Sequence, residues 1–448
     1  MAGRDPCMKL FPTRQSLTPV KRLRLMKVEA YMDYGFSVIG MNFNGMLMAK
    51  MGLPVEDFFL LSVISVITAM LAQNLVSRWS DKRGDRFTFI LLAKILYASS
   101  TFLIAFFQRF DIIILVTILN GLVSGESSAN VIVYELIDQK QQDLTGGGNG
   151  TMEINKSREF AKYRMFGSIG FAWTAPFGGY GIQVLNGTGG NPFFGYTVMY
   201  CISGTGVLGA CMFLWLILRG YQISAGKRDA NNVNTRLAPT SRFYFTLPFI
   251  MLTSTSFIAS IASAIQSNPF SKYLNALGQG EFFYGILAFI WATTEVPLFY
   301  ISSALVRKHG WKLLLLVSVI FQEIKFIVYF TVISPEYAFL IMMVQVLNPF
   351  GISFPAKTYA LTNEIAKDRK ALGLTLSDSL NSLGSFIGGI VGMTIASMIG
   401  SVANTLTGDQ FFYSIAIFMT TVAIAIFIVL WIVTRMLESR KTNNIQEA

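Results

Sequence analysis

The chain has 448 residues, 53% of them hydrophobic and only 14% charged, with a formal net charge of +11 at neutral pH. A charge of this size raises nucleic-acid binding, but here it is dealt out to alternate inter-segment stretches, which is the mark of membrane topology. One histidine and three cysteines leave neither a His-based metal site nor a disulfide framework, and no cofactor is implied.

About 20 apolar residues cross about 30 Å of hydrocarbon. Twelve such stretches follow in chain order: 30–51, 57–77, 87–107, 112–136, 161–185, 193–218, 243–267, 282–306, 312–333, 337–361, 371–399 and 411–435. Of the 36 lysines and arginines, 29 fall before the first stretch, after the last, or in every second connection between them, edge residues of the stretches included. The other connections hold only Lys50, Arg109 and Lys272. Basic residues are retained on the cytoplasmic side, so both termini are expected there. The basic lead runs into a first span too long for a signal-peptide core, so a cleaved leader is not expected.

The polar connection after the sixth span divides the chain into an N-terminal six-helix half (1–219), a cytoplasmic linker (220–241) and a C-terminal six-helix half (242–448). The halves share a local feature. Asp81-Lys82-Arg83-Gly84-Asp85-Arg86 follows the second span, and Arg307-Lys308-His309-Gly310-Trp311-Lys312 follows the eighth. The expected fold is an all-α membrane protein of twelve transmembrane helices in two six-helix halves, a transporter architecture.

The stretch Ser77-x3-Asp81-Lys82-x-Gly84-Asp85-Arg86 resembles the loop signature of the major facilitator superfamily, with serine at the first glycine position. The resemblance implies that Asp81, Lys82, Gly84 and Arg86 form a cytoplasmic gate, and Asp378 is grouped with them. Glu159-Phe160-Ala161-Lys162-Tyr163-Arg164-Met165-Phe166-Gly167 is similar to the fifth span of the lactose permease, oligosaccharide:proton symporter and phenylpropionate permease branch. Trp291-Ala292-Thr293-Thr294-Glu295-Val296-Pro297 resembles its acidic eighth-span motif. By that likeness Arg164 holds substrate, with Glu135 or Glu126 on the fourth span as its acid. Phe171 stands in place of the sugar-stacking tryptophan of lactose permease, with Trp173 two residues on, and both are grouped with the substrate-binding residues. In the stretch Gln345 to Gly351, Asn348 and Gly351 stand where lactose permease has its tenth-span histidine and glutamate, which weakens the case for a galactoside; Asn348 is grouped with the substrate-binding residues.

A charge near the bilayer centre costs about 2.5–3.5 kcal/mol on insertion scales, so each needs a partner or a purpose. Glu295, Glu323 and Lys325 lie at one depth and are candidates for proton coupling. Lys357 and Asp378 share a shallower depth and suggest an ion pair, while Lys94 is expected to snorkel to the interface. Small residues at 384, 388, 392, 396 and 400, and at 170, 174 and 178, form two helix-packing stripes.

Together these features describe a secondary transporter, not an enzyme. It would move a sugar, nucleoside or aromatic acid by alternating access, coupled to protons. A lipid or glycolipid flippase of the same fold is the alternative, and a membrane-embedded transferase ranks last. Its partners would be the small solute, the proton and the lipid bilayer, with no nucleic acid. A monomer in the cell membrane is expected.

Overall fold

The structure, a computed structural model, describes residues 17–83, 86–122, 132–133, 135–137, 139–140, 156–188, 190–219, 246–365 and 370–446. They are almost entirely helical, with no strand among them. We number the helices α1 (Pro19–Met41), α2 (Asn44–Lys50), α3 (Val55–Arg83), α4 (Arg86–Phe106), α5 (Phe110–Leu122), α6 (Lys156–Thr188) and α7 (Phe194–Leu218). The remainder are α8 (Leu247–Ser267), α9 (Phe270–Ala276), α10 (Glu281–His309), α11 (Trp311–Thr331), α12 (Ala338–Val344), α13 (Pro349–Tyr359), α14 (Lys370–Ile399) and α15 (Leu406–Gln446).

Nine helical segments among the described residues are long and apolar enough to cross a membrane. Helix α1 is interrupted by charge, and α6 is diluted by glycine, proline and hydroxyl residues. Three expected spans are broken. The first is α1 followed by α2, and the seventh is α8 followed by α9. The tenth is α12 and α13, separated where Asn348 caps α13 and Pro349 opens it. Proline is accepted at a first helical turn but cannot continue a preceding helix, so the break is written in the sequence.

Helix ends follow local chemistry. Thr18 caps α1, with its Oγ1 accepting from Lys21 N, and Pro19 supplies the first turn. Arg307, Lys308 and His309 occupy the last turn of α10, where the helix dipole favours cations. Gly310 then reverses the chain at φ 81°, a conformation that favours glycine. The corresponding Gly84 in the first motif lies outside the described residues, as does the 220–241 linker.

Helix α1 packs against α6 and α7, and α4 against α5 and α7. Later in the chain α8 packs against α14 and α15, α11 against α13 and α15, and α10 against α13. The two sets meet through α6 on α10, α3 on α14 and α2 on α9. Both small-residue stripes are packing seams. An added Cβ at Gly170 would collide with the Tyr31 carbonyl, and Thr174 Oγ1 donates to Gly35 O at 2.7 Å. Gly384 and Gly388 face Phe257 and Ile261 of α8, while Gly392 faces Phe59 of α3.

Candidate functional site

The connections poor in basic residues lie at one end of the bundle, and polar ties close that end. Lys50 Nζ is 2.9 Å from Glu281 Oε1, and Tyr196 donates its hydroxyl to the same oxygen at 2.9 Å. Asn186 joins them through Nδ2 at 3.5 Å and accepts from Gly195 N at 2.8 Å, so this asparagine is built into the packing. Gln183 Oε1 accepts from Phe282 N at 3.2 Å. Nearby, Lys272 donates to Leu53 O at 3.0 Å and to Asn404, whose Oδ1 also accepts from Val55 N. Apart from Gly195–Asn186 and Lys272–Asn404, these bonds join residues before 219 to residues after 246.

Further along the same seam, toward the basic end, lies Arg164. It sits about two turns into α6, with its guanidinium carbon 5.9 Å from the Phe350 ring centroid and 5.4 Å from that of Phe354. The two phenylalanines are one turn apart on α13 and both meet Phe299 of α10, at 5.9 and 5.7 Å. Arg164 makes no ion pair among the described residues. Glu295 of α10 is buried, and its Cα lies against Gly351, the residue after Phe350. The site therefore offers a cation stacked on aromatic faces with a buried acid near those rings, and among the described residues no ion pair holds the cation.

Asn348 is fully buried, and its amide is committed to structure. Its Oδ1 accepts from Gly351 N at 3.1 Å and its Nδ2 donates to Trp291 O at 3.0 Å, which ties α13 to α10 and orients Phe350. Phe171 packs against the Val38–Phe43–Tyr200 core. Trp173 is exposed and meets Phe289 edge-on at 6.0 Å. Glu135 is half-buried, and Glu126 lies outside the described residues.

Glu295, Glu323 and Lys325 are not gathered into one network. Lys325 donates to Gln345 Oε1 at 2.9 Å, and Gln345 Nε2 donates to the Tyr329 hydroxyl at 2.6 Å. Glu323 accepts from Thr421 at 2.5 Å. Equal depth on neighbouring helices does not fix which way a side chain turns. Lys357 and Asp378 are brought together at 2.7 Å. Asp81 and Lys82 lie in the last turns of α3 and Arg86 opens α4, all at the basic end. Sequence reasoning missed Glu281, Phe350 and Phe354. Lys50 and Lys272, as isolated bases, were the available signal for the closed end.

The model of the MFS_1 like family matches residues 31–406. No curated protein sequence matches the chain. Among solved structures, a bacterial homologue of the iron transporter ferroportin is similar at a TM-score of 0.68 and 12% identity, over 93% of this chain and 99% of that one. A mutant of the nucleoside transporter NupG gives 0.67 at 14% identity, over 91% and 99% of the two chains. A bacterial homologue of the lysosomal transporter Spinster, inward-facing and occupied, gives 0.65 at 14%, over 91% and 96%. At these identities the likeness is one of fold.

Proposed function

The chain belongs to the MFS_1 like family and is a multi-pass integral membrane protein, and from that premise we propose that it is a proton-coupled secondary carrier for a small organic solute. The twelve-span, two-half arrangement with cytoplasmic termini belongs to this reading. So does placement of the closed, basic-poor end on the outer side of the cell membrane. The observation that carries the reading is Arg164 of α6 standing against Phe350 and Phe354 of α13, with buried Glu295 beside Gly351 on the adjoining α10.

A guanidinium fork recognises hydroxyls or a carboxylate, and flanking rings suit a planar or ring-shaped solute. Sugars, nucleosides and aromatic acids combine both features. Glu295 is the acid in this reading whose protonation accompanies the solute. Rocking of the two halves would open the Lys50–Glu281 and Lys272–Leu53 ties at one end while the motif residues Asp81, Lys82, Gly84 and Arg86, with Asp378, close the other.

The test is uptake of a panel of sugars, nucleosides and aromatic acids into proteoliposomes, with and without an imposed pH gradient. The reading requires at least one solute to be accumulated with the gradient and merely equilibrated without it. Movement of fluorescent phospholipid between leaflets, with no solute uptake, would replace it with a flippase.

A further inference from the structure

Lys94 of α4 places its ammonium between two carboxylates of α1. Its Nζ is 2.6 Å from Asp33 Oδ2 and 2.8 Å from Glu29 Oε1. This corrects the expectation that Lys94 snorkels. Residues 29 and 33 are one turn apart, so both acids reach the same face of α4. The side chains are 4% exposed at Glu29, 12% at Lys94 and 24% at Asp33.

Two carboxylates and one ammonium leave an excess of one negative charge. Among the described ion pairs Lys94 is the cluster's one cation. Lys27, also on α1, is turned to Glu159 of α6 at 3.9 Å, and Arg164 of α6 is turned to the phenylalanine rings. From α7 the titratable neighbour is Cys211, whose thiol senses Lys94, Asp33 and Glu29. Tyr163 of α6 packs in the adjoining apolar cluster with Ala30. An uncompensated carboxylate is strongly unfavourable in so enclosed a place.

We propose that Glu29, Asp33 and Lys94 form a proton-binding site separate from the Arg164–Glu295 site. One proton from water adds to a carboxylate oxygen, giving a carboxylic acid and taking the cluster from one negative charge to neutral. Asp33, the more exposed acid, is the entry point, and Glu29 is the enclosed one. Lys94 fills the space between the carboxylates that a metal cation would need, so the ligand is a proton. Protonation removes one of two ion pairs between α1 and α4, which links proton occupancy to the spacing of those helices. The site goes beyond the carrier reading and can be tested without a known solute.

The experiment is infrared titration of the purified full chain in lipid, in H2O and D2O. A carboxylic-acid C=O band, shifted by D2O, should persist well above the ordinary carboxylate range of about 4. Glu29→Gln and Asp33→Asn each leave a neutral ion pair with Lys94, so each should fold and each should lose that band. Glu295→Gln should keep it. Absence of the band, its survival in both variants, or its displacement by sodium chloride but not choline chloride would overturn the proposal. A band that behaves as expected in a protein moving no solute would retire the carrier reading alone. Transport driven by pH without the band would retire this site alone.

Discussion

Lys50 Nζ and Glu281 Oε1 stand 2.9 Å apart, and the contact joins the end of α2 to the first turn of α10 across 231 residues of chain. The glutamate is nearly enclosed, with its side chain 6% exposed against 32% for the lysine. Breaking such a pair from one side leaves a buried charge, a loss of about 3–5 kcal/mol. That is enough to shift a conformational equilibrium. Lys50→Met should therefore loosen the basic-poor end. The measurement is labelling of Ser271→Cys, in a background without the native cysteines, by a membrane-impermeant thiol reagent. Ser271 packs against Gly45 at that end, so labelling should accelerate. An unchanged rate would mean the pair does not hold the end closed.

Close packing of α6 makes a second prediction. A Cβ at Gly170 would strike the Tyr31 carbonyl, and one at Gly179 would strike the Glu281 carbonyl, whereas Gly187 has open space. Gly170→Ala and Gly179→Ala should each lose about 1–3 kcal/mol by overpacking. Gly187→Ala should be near neutral. Thermal unfolding in detergent checks all three, and equal midpoints would contradict the close approach.

Arg164→Lys retains charge but loses the planar fork and its stacking on Phe350 and Phe354. Solute binding should weaken by about 1.5–3 kcal/mol, the range for hydrogen bonds to charged groups. Calorimetry on the folded variant, once a solute is known, is the check. Unchanged affinity would reassign Arg164 to anchoring.

Near the start of α6, at the basic end, Glu159 bonds to Lys162 at 2.6 Å and to Lys140 at 3.1 Å. Burial pushes its carboxyl up, but the hydrogen bonds and charges of Lys162 and Lys140 outweigh it and hold the group at about 2. The folded value lies below the unfolded one of about 4.3, so the stabilisation is complete above that value and fades as pH falls toward 2. Glu159→Gln should lower the unfolding temperature at neutral pH and lessen its loss on acidification. A variant with the acid limb of wild type would refute the assignment.

Hydropathy made the helices legible because a span must be apolar along its length, and charge alternation set their expected order. Neither signal gives the azimuth of a side chain. Glu295, Glu323 and Lys325 share a depth, yet Glu295 lies against α13 at Gly351 while the others turn to Thr421 and Gln345. Lys50 and Lys272 were visible as exceptions to the charge pattern, but their partners lie far along the chain and only folding reveals them. Glu29 and Asp33 straddle the expected start of the first span, where acids pass as interfacial. The observed α1 begins at Pro19 and carries both against α4.

The central claim is that the solute and a proton travel together through the Arg164–Glu295 site. Proteoliposome transport by Glu295→Gln, set against wild type, tests it most directly. A carrier that cannot deprotonate this acid should still exchange solute across the membrane, but should not concentrate it when a pH gradient is imposed. Wild type should do both. Accumulation by Glu295→Gln at the wild-type level would contradict the account.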